Sequence, residues 1–80
     1  MSVKQKKKSK TPKVILVKSE LDTNVILEYL LSKEEVIVNV SLISLIQSYK
    51  VIYFLSGYVM ACNGQRKKIE DKIYSFKIYT

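Results

Sequence analysis

The stretch SLIQSYKVIYFLSGYVMACNG, Ser44 to Gly64, decides the fold. Ser44 is a residue type whose hydroxyl accepts from the first free N–H groups of a helix, and Asn63-Gly64 carries the chemistry that ends one. Between them apolar residues recur nearly all the way round a helix, from Leu45, Ile46 and Tyr49 to Tyr58, Val59 and Met60. A helix of that character is buried on both sides or spans a membrane. Lys50 argues against a span. It splits the uncharged runs Val36–Tyr49 and Val51–Gln65, and neither reaches the ~18 residues a span needs. Joining them would hold a lysine near mid-bilayer at about 3 kcal/mol. The stretch is therefore expected to be the long helix of a globular domain, ending near Cys62.

Gly57 sits inside that helix, where glycine costs about 1 kcal/mol relative to alanine. Ala61 follows four residues later on the same face, with Ser56 beside them. Small residues at that spacing admit another backbone closely, either the protein's own sheet or a partner helix. The all-round apolar character favours a partner. Gly64 reads as an ordinary helix stop.

Outward from this helix, VILVK (Val14 to Lys18) and EVIVNV (Glu35 to Val40) are short β-branched runs that read as strands. Ser19 precedes Asp22 by three residues, a capping-box pattern, and Ile26, Leu27, Leu30 and Leu31 recur at helical spacing behind it. Strand, helix, strand in that order predicts a parallel pair joined by a crossover. RKKIEDKIYSFKIY (Arg66 to Tyr79) reads as a closing hairpin that turns near Glu70-Asp71 and sets Tyr74, Phe76 and Ile78 on one face. The expected fold class is α/β (α+β): a two-layer sandwich in the order β-α-β-α-β-β, two helices on a four-stranded sheet.

The formal charge is +7, but it is unevenly held. Lys4, Lys6, Lys7, Lys8, Lys10 and Lys13 stand in residues 1–13, which contain no acid. The remainder carries eight Lys and Arg against seven Asp and Glu. Residues 1–13 thus read as a disordered basic tail able to touch an anionic membrane surface or RNA, and residues 14–80 as one domain. A core this small is marginal. The single cysteine, Cys62, cannot form an internal disulfide, and histidine is absent, which points to a reducing compartment and away from the usual zinc clusters. Self-association is the remaining ordinary stabiliser. No cofactor or metal is expected. An enzyme is the least supported class. The acids Glu20, Asp22, Glu34, Glu35, Glu70 and Asp71 fall at helix starts and turns, not as a gathered catalytic set.

KVIYFLSGYVMACNG followed by KKIEDKIYSF resembles the signature of the SepF family, the cell-division proteins that link FtsZ to the membrane. The resemblance runs from Val14 to Tyr79 in family order, with an apolar strand, a helix, a VIVNV-like strand and then the FLSG helix. It implies a cell-division adaptor that dimerises and assembles further, binds the C-terminal tail of FtsZ, and supports Z-ring assembly and septum formation. Carried across by position, it implies tail binding by Lys50, Tyr53 and Phe54, and self-association through Gly57, Tyr58 and Ala61. Lys4, Lys6, Lys7 and Lys8 would supply a weak anionic contact. Lys50 stands where the family has Arg, and Tyr53 where it has Asp, so an Arg–Asp pair across that turn is lost. The lysine run is not an equivalent of the family's N-terminal amphipathic helix.

The heavy use of Lys, Ile, Tyr, Asn and Ser is what an AT-rich genome encodes. A plastid genome is one such setting, which makes the chloroplast stroma at the division site an expected location. The alternative function is nucleic-acid binding. The β-α-β-α-β-β order also resembles small basic dimeric Alba-type proteins, and Arg66–Lys68 with the lysine tail could follow phosphates.

Overall fold

The computed structural model describes residues 11–79. Six elements follow the expected order: β1 (Lys13–Leu16), α1 (Asp22–Leu31), β2 (Val36–Asn39), α2 (Leu45–Ala61), β3 (Gly64–Glu70) and β4 (Ile73–Ile78). The sheet runs β1-β2-β4-β3. β1 and β2 are parallel, and β4 is antiparallel to both β2 and β3. This is the two-helix, four-stranded α+β arrangement that the sequence predicts.

Boundaries move by a residue or two. β1 begins at Lys13, a residue grouped with the tail on charge alone, because its N–H donates to the Glu35 carbonyl at 2.9 Å. Ser19 and Asp22 do exchange bonds. Asp22 Oδ2 accepts from the N–H groups of Lys18 (2.7 Å) and Ser19 (3.3 Å), and Ser19 Oγ accepts from Leu21 N–H at 3.2 Å. They close a turn rather than cap a helix, and α1 starts at Asp22, two residues later than a capping box at Ser19 would place it. At α2 the capping expectation holds. Ser44 Oγ accepts from Gln47 N–H at 3.2 Å, and Gln47 Oε1 accepts from Ser44 N–H at 3.4 Å.

Register decides which residues form the core. Val36 pairs with Phe76 and Val38 with Tyr74, so these side chains share the face that the helices cover. Ile26 and Leu30 from α1, and Val51, Ile52, Leu55 and Val59 from α2, close over Val36, Val38, Phe76 and Ile78. Burying each such side chain is worth about 1.5–3 kcal/mol. On the opposite face Ser75 is buried and donates to Glu35 Oε2 at 2.6 Å, while Val14 and Leu16 are exposed.

Gly64 is not merely a helix stop. The left-handed position after α2 is taken by Asn63, with φ 59°. Gly64 is required by crowding: a Cβ there would collide with the Lys77 carbonyl oxygen and lie 2.9 Å from the carbonyl oxygen of Val59. The end of α2 is thereby pressed onto the start of the hairpin. That hairpin turns at Asp71-Lys72, where Lys72 takes φ 68°, and a bulge at Ile69 breaks the β3–β4 register.

Candidate functional site

α2 has 17 residues, and no helix among the described residues is long and apolar enough to cross a membrane. Nor is it buried on both sides. Ser48, Val51, Ile52, Leu55 and Val59 face the core, while Ile46, Tyr53 and Met60 are about two-thirds exposed (69%, 66% and 67%). The all-round apolar pattern is thus one core face plus one open face. Ile46, Tyr53 and Met60 thus leave apolar surface open on the side of α2 that faces away from the sheet.

Lys50, Phe54, Gly57 and Ala61 are spaced by four, three and four residues, which places them in one row along the open side. All four are exposed. A Cβ on Gly57 would find no atom within 4 Å. Close approach of the protein's own sheet is thereby excluded as the reason for this glycine. Tyr58 lies off the row, half-buried against the core, so the structure brings together Gly57 and Ala61 but not Tyr58.

Lys50 and Phe54 line one cleft of about 280 Å³ with Val51, Glu20 and Thr23. Glu20 and Thr23 come from the turn and first residues of α1, and Thr23 Oγ1 donates to the Glu20 carbonyl at 2.7 Å. The sequence reading missed both, since nothing local marks them as neighbours of α2. Phe54 is 51% exposed, leaving an aromatic surface beside an ammonium and a carboxylate. Tyr53 is not in this cleft. Its ring stacks on Tyr49, centroids 5.8 Å apart and planes 15° from parallel. Lys4, Lys6, Lys7 and Lys8 lie outside the described residues.

A small α+β domain that covers its sheet with one side of a helix and presents the other side as an apolar, aromatic row has the form of an interaction module. Residues 13–76 match the family model for cell division protein SepF, and the chain belongs to that family. No curated protein matches the sequence. Family membership makes this a protein of cell division, in a family of adaptors that oligomerise.

Proposed function

We propose that this chain is a self-associating division adaptor that binds the C-terminal tail of FtsZ through the Lys50–Phe54 cleft and so supports Z-ring assembly and septum formation. The observation that carries this reading is the convergence of an exposed cation and an exposed aromatic ring in one cleft of the FLSG helix. Phe54 offers apolar surface to an anchoring side chain, and Lys50 offers a charge to an acidic one. The lysine acts as a point charge, without the bidentate fork of an arginine. Glu20 on the opposite wall repels a peptide carboxylate, which orients the acidic group toward Lys50.

Self-association uses the same row further along. Gly57 and Ala61 leave room for a second backbone, and Tyr53, stacked on Tyr49, extends the apolar surface beside them. Lys4, Lys6, Lys7 and Lys8 add a weak contact with an anionic membrane surface. On composition the setting is a reducing compartment, with the stroma of a chloroplast as the particular proposal.

Calorimetric titration with the C-terminal peptide of the host FtsZ tests the docking site. Wild type is expected to bind saturably. Lys50→Glu should bind about fivefold more weakly, the effect of roughly 1 kcal/mol from one exposed charge, and the gap should narrow as salt rises. Equal affinities at both salt concentrations would move the docking site elsewhere.

A further inference from the structure

The β3–β4 hairpin is the basic end of the domain, with Arg66, Lys67, Lys68, Lys72 and Lys77 against Glu70 and Asp71. Two of these lysines stand on the face opposite the helices. Phe76 and Ile78 belong to the core, so Ser75, Lys77 and Tyr79 alternate onto the other face. Lys67 pairs with Ser75 and Gln65 with Lys77, which puts both on that face as well. Val36 pairs with Phe76, and one step further along this antiparallel pair Glu35 stands opposite Lys77. Glu35, Gln65, Lys67, Ser75, Lys77 and Tyr79 line a cleft of about 180 Å³. Its floor is Ser75, a short side chain among long ones and only 5% exposed.

Two hydrogen bonds sort this cleft into a donor end and an acceptor end. The Tyr79 hydroxyl donates to Gln65 Oε1 at 2.6 Å, which occupies the amide oxygen and leaves Nε2, a donor, to the cleft. Lys77 Nζ lies 5.7 Å from the centroid of the Tyr79 ring, a cation–π contact that holds it toward the same end. With Lys67, this end offers two ammonium groups and an amide N–H. At the other end Ser75 Oγ donates to Glu35 Oε2 at 2.6 Å. The hydroxyl proton is thereby spent, and the hydroxyl oxygen and Glu35 Oε1 face the cleft as acceptors.

A simple anion in this cleft meets the Glu35 carboxylate, and a simple cation meets two lysines. A ligand that carries both charges satisfies the two ends at once. We propose that the cleft binds a small phosphate ester bearing a primary ammonium, of the phosphoethanolamine type. The phosphate lies among Lys67, Lys77 and Gln65 Nε2, because two mobile ammonium groups and an amide suit a group with several acceptor oxygens. The ammonium donates to Glu35 and to Ser75 Oγ. β4 lies between β2 and β3, so the two ends rise from strands roughly 9.5 Å apart. An α-amino acid, with both charges on one carbon, spans that gap less well than an ester whose charges are separated by a two-carbon link. Free phosphoethanolamine and the headgroup of an ethanolamine phospholipid present the same chemistry. The cleft shares no residue with the Lys50 cleft and stands or falls independently of it.

The test is a nuclear magnetic resonance titration of the labelled full chain with phosphoethanolamine, phosphocholine and inorganic phosphate. The expected result is saturable binding of phosphoethanolamine, with shift changes at Gln65, Lys67, Ser75 and Lys77. Phosphocholine, whose quaternary nitrogen has no N–H for Glu35, should bind about fivefold more weakly, and inorganic phosphate likewise. Glu35→Gln should abolish that preference, and Lys67→Gln with Lys77→Gln should weaken binding about tenfold. Vesicles of phosphatidylcholine with and without phosphatidylethanolamine separate the two sources. Retention on the ethanolamine vesicles that Glu35→Gln removes assigns a lipid headgroup, and binding of the free ester alone assigns a soluble one; each upholds the site. Equal affinity for phosphoethanolamine and inorganic phosphate would overturn it in favour of plain charge attraction. So would shift changes confined to α2, or saturable binding of neither the free ester nor the ethanolamine vesicles.

Discussion

Along α2, Val51, Leu55 and Val59 are sealed against the sheet, while Ile46, Tyr53 and Met60 stand about two-thirds exposed on the other side. The two sets are similarly apolar. The glycines repeat the contrast: Gly64 has no space for a Cβ, and Gly57 has nothing within 4 Å of one. Apolar composition therefore does not separate what the fold needs from what a partner needs. Contact with the protein's own atoms does. The inner face holds the domain together, and the outer face is available to be covered from outside.

The contrast makes stability and association separable by mutation. Leu55→Ala should cost the most, about 2–5 kcal/mol for a fully buried leucine, read by urea unfolding. A loss under about 1 kcal/mol would mean that α2 is not seated as described. Gly64→Ala comes next at about 1–3 kcal/mol, because the crowding atoms are backbone carbonyls that cannot swing aside. Gly57→Ala should go the other way. It relieves the helix of a glycine in open space and should raise stability by up to about 1 kcal/mol. If thermal unfolding instead shows Gly57→Ala to be as damaging as Gly64→Ala, the comparison fails.

Much of this architecture is legible in the sequence because it is locally encoded. The β-branched runs, the helical spacing of Ile26 and Leu30, and Ser44 with its partner Gln47 each act within a few residues. What could not be read is what the sheet brings together from far along the chain. Gly64 looks like a helix stop until β4 returns the Lys77 carbonyl onto it. Glu20 and Thr23 join Lys50 and Phe54 only because α1 lies beside α2. The open face of α2 was hidden by its own composition, since spacing alone cannot tell a solvent-facing apolar row from a buried one. Tyr58 follows Gly57 directly, but a one-residue step on a helix turns its side chain well round the axis, and it rests half-buried against the core. The basic end of the molecule was legible in principle. The run Arg66–Lys68 stands out by itself, and Lys72 and Lys77 join it only through the hairpin.

The most direct test of the account is the mass in solution, by light scattering, of Gly57→Lys beside wild type. An added lysine finds no obstacle within the protomer and is a better helix former than glycine, so the fold should persist with undiminished helical signal. The account predicts a folded protein of lower oligomeric mass, because the long charged side chain stands where a second backbone would approach. A variant that keeps the full wild-type mass would show that the open face of α2 is not the surface through which copies meet.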